Sequence, residues 1–289
     1  MENYQKVLFP YAYNILGSAE DARDAVQEVI SKFVSSERKG IENIKGYLIK
    51  GVVNQSINIK TRRREVSNEN VWLPEPFSTE EADTNINLQD IASYSLMVLL
   101  EQLTPKERAV FILKESFDYT HLEIAEVLAG TEEHSRKLLS RAKQKLHELK
   151  QKKAATNNQV SPGFIEKYIN AIRERDVKGL ETILTDDIVF YADGGDKLQV
   201  VKKVCNGATG VADLLVYIND KFHTSHTVAY VAINHQPAIL YYESDRLIAC
   251  QVLGISPEQN KIYQISTVVD PEKLKNLKVD RNQRTPNGF

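Results

Sequence analysis

Arg136, Lys137, Ser140 and Arg141 lie close enough in sequence to share the polar side of one helix. Two guanidiniums, an ammonium and a hydroxyl in such a row suit a duplex: arginine forks match guanine edges and phosphates, and a hydroxyl serves either. A second basic group, Arg62, Arg63 and Arg64, puts three guanidiniums side by side. Such a cluster needs an anionic partner. Phosphate fits that need, although cations at the end of a helix also complement its dipole. Asn54 precedes the cluster and carries an amide that can hydrogen-bond an unstacked base or simply face water. Carboxylates and an amide at Asp21, Asp24, Gln27 and Glu28 recur on neighbouring turns of an earlier helical stretch.

These side chains need helices to hold them. Residues 107–146 read as an apolar helix (Val110, Phe111, Leu113), a short helix (Leu122, Ile124, Ala125, Val127, Leu128), a turn at Ala129-Gly130-Thr131, and a last helix. In that last helix Leu138, Leu139, Ala142 and Leu146 form an apolar stripe, and the basic residues fall mostly outside it. This is the pattern of a helix-turn-helix, whose final helix enters the major groove. Thr131 is placed to cap it, with Glu132 and Glu133 at the positive end of its dipole. By periodicity alone, an ordinary helix with a solvated charged face reads equally well. Thr104-Pro105-Lys106-Glu107 has the spacing of a capping box at a helix start.

With 289 residues and 42% hydrophobic content, the chain is expected to form several domains with real cores. A net charge of −2 excludes a bulk polycation, so DNA contact must come from local patches. Cys205 and Cys250 have no metal-like spacing and indicate a reducing compartment, although a fold that brought them together would let them pair. The first residues are too polar for a signal peptide and no apolar run reaches membrane length, so a soluble, cytoplasmic protein without membrane contact is expected.

Composition divides the chain. Residues 1–66 read as helical, 67–89 as an extended linker, 90–153 as helical with the helix-turn-helix, 163–275 as an α+β segment, and 276–289 as a disordered tail. Helices at the start of the α+β segment precede strand-like runs, including Leu198–Val204. Within the linker, the chain's single tryptophan sits in Trp72-Leu73-Pro74-Glu75-Pro76, too apolar to leave in water and therefore expected to dock on a surface. Asp186, Asp187, His223, His226 and His235 share no catalytic spacing.

Leu16-Gly17-Ser18 followed by Asp21 to Glu28, then Gly46-Tyr47-Leu48 through Asn54 to Arg64, then Leu103-Thr104-Pro105-Lys106-Glu107-Arg108 and the helix-turn-helix, resemble extracytoplasmic-function sigma factors of bacterial RNA polymerase. Trp72 to Pro76, Asp193-Gly194-Gly195-Asp196-Lys197 and Asp270-Pro271-Glu272-Lys273-Leu274 resemble motifs of the subgroup with a C-terminal SnoaL-like domain. Asp196 replaces a glycine of that pattern and Asp270 an asparagine. The resemblance implies two all-α sigma domains followed by an α+β cone. Its partners would be core RNA polymerase, promoter DNA and a small-molecule ligand in the cone. No cofactor, metal or covalent chemistry is implied. Core polymerase would contact Asp21, Asp24, Gln27 and Glu28. DNA would contact Asn54, Arg62, Arg63, Arg64, Arg136, Lys137, Ser140 and Arg141. Regulation in cis would fall to Trp72, Leu73, Pro74, Glu75 and Pro76 with Asp193, Gly194, Gly195, Lys197, Asp270, Pro271, Lys273 and Leu274, with Lys197 expected near Glu75. Two other readings remain at this stage: a stand-alone, ligand-responsive helix-turn-helix regulator, and an enzyme on the SnoaL-like scaffold.

Overall fold

The computed structural model describes residues 2–35, 41–66, 72–79, 86–150, 162–195, 198, 200, 205–223, 226–277 and 284–285. The chain forms two compact units: residues 1–69, 81–92 and 96–150 make the first, and residues 70–80, 93–95 and 151–289 the second. The two helical segments on either side of the linker thus belong to one unit. The Trp72 stretch belongs with the C-terminal segment.

The first unit contains α1 (Glu2–Leu16), α2 (Ala19–Ser35) and α3 (Ile44–Val66), then α4 (Tyr94–Leu100, whose first two residues count with the second unit), α5 (Pro105–Glu115), α6 (His121–Leu128) and α7 (Glu132–Lys150). Gly17 ends α1 with a φ of 74°, and the Ser18 hydroxyl accepts from the Asp21 amide to start α2. Ala22, Ala25, Val26, Val29 and Phe33 bury one side of α2. Thr104 and Glu107 form a complete capping box on α5, with Pro105 in the first turn. Thr120 and Glu123 repeat that device on α6, which closes on left-handed Ala129 (φ 51°). The Thr131 hydroxyl then accepts from the His134 amide at 3.2 Å and starts α7. Leu138, Leu139, Ala142 and Leu146 are buried, as their spacing requires.

The second unit follows α8 (Pro162–Arg173) and α9 (Val177–Ile183) with a seven-stranded sheet of order β2-β1-β6-β5-β4-β3-β7. The strands are β1 (Leu184–Asp193), β2 (Cys205–Asn206), β3 (Thr227–Ile233), β4 (Gln236–Glu243), β5 (Arg246–Ser256), β6 (Lys261–Val268) and β7 (Arg284–Thr285). Among the described residues only β1 and β6 pair in parallel. Helix α10 (Ala208–Ile218) joins α8 and α9 in a core with the sheet: Tyr168, Leu180 and Leu215 pack in one cluster with Phe190, Leu253 and Ile265. Such helix-on-sheet packing buries the apolar face of each element. Asn234 and His235, both at positive φ, make the two-residue turn between β3 and β4. A short helix, α11 (Pro271–Leu274), follows β6.

Two expectations change. Leu198 and Val200 are not in a strand, and the other residues of the expected Leu198–Val204 strand, 199 and 201–204, lie outside the described residues. The tail is not wholly irregular, because Arg284 and Thr285 pair with Ala229 and Val228 at the sheet edge.

Candidate functional site

The basic side of α7 is open to solvent. Ser140 and Arg141 are exposed, and Arg136 and Lys137 keep most of their side-chain surface. Glu132 and Glu133 pair with Arg136 (2.7 Å) and Lys137 (2.6 Å) one turn later, so they do more than complement the helix dipole. Such exposed pairs contribute little and yield readily to phosphate. Beneath this face, the His121 ring nitrogen lies 2.9 Å from the Ser135 hydroxyl, joining α6 to α7. Burial, with Arg136 and Lys114 nearby, pushes the His121 imidazole below its ordinary value.

On α2 the polar side carries Asp24, Gln27 and Glu28, all exposed, with Asp21 half-buried. A hydrogen bond from Lys32 holds the Glu28 carboxyl below the ordinary carboxylate range. Gln55 of α3 also donates to Glu28 at 2.6 Å. Arg63 lies 2.7 Å from Asp21, so one guanidinium of the basic cluster has its anion inside the protein. Arg62 is exposed; the Arg64 side chain lies outside the described residues. Asn54 is half-buried and donates to the Val127 carbonyl of α6 at 2.8 Å.

The linker is captured by the second unit. Leu73 through Phe77 are all buried. The Asp193 carboxylate, at the end of β1, is the centre of the contact. One oxygen accepts from the Gly195 amide at 2.8 Å; the other accepts from the Leu73 amide at 2.6 Å and the Lys273 ammonium at 2.5 Å. Lys273 also donates to the Leu73 carbonyl at 2.6 Å. A carboxylate so buried is tolerable because each oxygen has donors. Gly194 and Gly195 are needed on steric grounds. A Cβ on Gly194 would meet the Leu198 carbonyl oxygen at 2.3 Å, and one on Gly195 (φ +61°) would meet an Asp270 oxygen at 2.5 Å. Asp270 in turn caps α11 by accepting from the Glu272 amide, which sets up Pro271, Lys273 and buried Leu274.

Further along, the linker adds backbone bonds at the sheet edge. Ser78 bridges Ile233, the Thr79 amide donates to the Ala232 carbonyl at 3.0 Å, and Asn234 donates to the Phe77 carbonyl at 2.9 Å. The Tyr94 hydroxyl donates to the Pro74 carbonyl at 2.7 Å, and Gln236 accepts from the Ser95 amide at 2.6 Å. Glu75 is buried within this stretch. The expected Lys197 partner lies outside the described residues. Lys273 supplies the cation at Asp193, and no local spacing marks that pairing. Asn234 and Gln236, equally without a local signal, become visible only once β3 and β4 form.

Among the described residues no group of His, Cys, Asp or Glu is arranged to hold a metal, and no helix is long and apolar enough to cross a membrane.

Residues 93–146 match the family described as Sigma-70, region 4. The chain is 26% identical over 96% of its length, and 94% of the relative's, to a probable ECF RNA polymerase sigma factor, SigI, of Mycobacterium tuberculosis. It is 22% identical to that organism's ECF RNA polymerase sigma factor SigJ, over 99% of this chain and 96% of the other. The crystal structure of SigJ superposes with a TM-score of 0.75 at 21% identity, covering 96% of this chain and 98% of that one, which establishes a shared fold.

Proposed function

We infer that the chain is an extracytoplasmic-function sigma factor, directing promoter-specific transcription initiation by RNA polymerase under control of its own C-terminal α+β domain. The observation that carries this reading is the capture of the linker by Asp193 and Lys273. A segment joining two DNA-reading halves is buried by a third domain of the same chain. A stand-alone regulator has no use for such an arrangement.

The polar side of α2, with Asp21, Asp24, Gln27 and Glu28, docks on core polymerase. Opening promoter DNA costs about 1.4 kcal/mol per base-pair step in lost stacking. Asn54 offsets part of that by receiving a displaced base, with Arg62, Arg63 and Arg64 on the backbone. Helix α7 reads duplex DNA: its first turns, with Arg136 and Lys137, approach base edges, while Ser140 and Arg141 meet phosphates. The C-terminal unit regulates by holding residues 72–79, and Asp193, Gly194, Gly195, Lys197, Asp270, Pro271, Lys273 and Leu274 form the holding surface. The protein acts in the cytoplasm. A small molecule inside the C-terminal domain completes the reading. There the Tyr168 and Tyr241 hydroxyls both donate to the Gln251 side-chain oxygen, at 2.9 and 3.4 Å, which sets a polar group inside the domain.

Run-off transcription with purified core polymerase over a promoter library tests this function. The full chain is expected to direct defined start sites only when core polymerase is present. Tight, specific duplex binding by the chain alone, with no polymerase association, would favour the stand-alone regulator.

A further inference from the structure

The first unit contains a buried cluster of three charges. Lys60 of α3 donates to both oxygens of Glu101, at 2.9 and 3.2 Å, and Arg108 of α5 pairs with the same carboxylate. Both cations then finish on the last turn of α1: Lys60 donates to the Leu16 carbonyl at 3.0 Å and the Arg108 Nε to the Asn14 carbonyl at 2.7 Å. Carbonyls there lack intrahelical partners and lie at the negative end of the helix dipole. Arg108 is fully buried and Lys60 nearly so. Glu101 and Arg108 come from the helix-turn-helix half, and Lys60, Asn14 and Leu16 from the other half. The carboxylate therefore ties the two together.

We propose that Lys60, Glu101 and Arg108 are a reversible latch that closes the two DNA-reading halves on each other and must break before both reach a promoter. The proposal rests on the sigma-factor reading. Occlusion is visible at Asn54. The amide assigned to base capture is bonded to the Val127 carbonyl, just ahead of the turn into α7. Tyr11 of α1 stacks on Phe117 at 3.8 Å between ring centres, closing the same seam between α1 and the α5–α6 connection. A halves-together form with Asn54 against α6 cannot also present Asn54 to an unpaired strand.

The chemistry of the seam explains why charges hold it. Apolar residues of similar volume usually stabilise a buried site more than an ion cluster does, because they carry no desolvation penalty. They would also make opening costly, since the parted surfaces would be apolar. Charged groups regain their hydration when the halves part, so the latch is specific when shut and tolerable when open. Burial accordingly pushes the Lys60 amine well down, to about 7, despite the neighbouring Glu101.

The test uses the full chain, spin-labelled at Lys32 and Glu126 after conversion of each to cysteine, with Cys205 replaced by serine. Two variants are compared: Glu101→Ala, which strips both cations of their partner, and the apolar triple Lys60→Met, Glu101→Leu, Arg108→Met. Glu101→Ala is expected to lengthen the label-to-label distance without polymerase and to raise transcription several-fold at limiting core polymerase. The triple variant is expected to keep the short distance and to lose transcription several-fold. Two results would overturn the latch: an unchanged distance in Glu101→Ala, or full transcription from a triple variant that stays closed. If no chain transcribes, wild type included, but the distances respond as expected, the latch stands and the sigma-factor reading fails.

Discussion

Lys273 places its ammonium 4.2 Å from the centre of the Trp72 ring while also bonding Asp193 and the Leu73 carbonyl. Two residues 201 positions apart thus meet in one contact, a cation over an aromatic face with its counter-ion beside it. A desolvated cation–π contact contributes about 2 kcal/mol, and hydrogen bonds to charged groups about 1.5–3 kcal/mol each.

Because Trp72 is the chain's only tryptophan, its fluorescence reports this contact alone. Lys273→Met keeps the apolar stem and deletes the charge. We expect red-shifted emission and easier quenching by iodide, together with faster proteolysis within residues 72–79. Asp193→Asn should act in the same direction and more strongly, at about 3–5 kcal/mol, because it leaves the Lys273 ammonium buried without its counter-ion. Unchanged emission in both variants would remove the linker capture from the regulatory account.

The Asp193-Gly194-Gly195 turn predicts a sharp steric response. Gly195→Ala pushes a methyl group into the Asp270 carboxylate from a left-handed backbone, which by itself costs about 1–2 kcal/mol. Loss of the Asp270 cap on α11 should follow, displacing Lys273. Thermal melting should show a lowered transition, and Trp72 should become accessible as it does in Lys273→Met. An alanine variant that melts and fluoresces like the native chain contradicts the crowding at this turn.

Lys60 makes the stability of the first unit rise with pH above neutrality. Its amine is held near 7 in the folded chain against an ordinary value of 10.5, with Glu101, Arg108 and Arg63 as the charges around it. Between those values the unfolded chain binds more protons at this site. Stability from Lys60 therefore rises with pH across that window, and its burial penalty is fully present below about 7. Denaturant unfolding from pH 7 to 10 should show that slope, and Lys60→Met should flatten it. An identical slope in the variant would assign the effect elsewhere.

On the DNA side, Arg141→Ala and Arg62→Ala should lower promoter-specific transcription without altering the thermal transition, as both side chains are exposed. If Arg141 contacts a phosphate, its loss should reduce the salt dependence of promoter binding by about 0.9 in log–log slope. A loss of affinity with no change in that slope points to a base contact instead.

Local rules recovered local features. Thr104, Pro105 and Glu107 announce a helix start through their own spacing, and the complete capping box is there. The stripe from Leu138 to Leu146 needs only the helical period, and it is buried. What escaped depends on pairs distant in sequence. Lys60 stands just ahead of a basic run and reads as one more cation at a helix end. Only packing against Leu16 and Glu101 sets it apart from Arg62. Asn54 reads as a base-binding amide, and nothing near it announces Val127. Lys273 belongs to a recognisable motif, yet its choice of Asp193 follows from β6 and α11 bringing it beside the end of β1.

The linker's hold on Ile233 and Ala232 has a further consequence. Residues 78 and 79 line one stretch of β3's outer margin, and Arg284 and Thr285 line the next. When the linker lifts away, that margin is left with bare amides and carbonyls, the kind of seam on which a second polypeptide can add a strand. An undocked linker would thus carry a hazard of its own: with that margin uncovered, two copies of the chain could pair edge to edge.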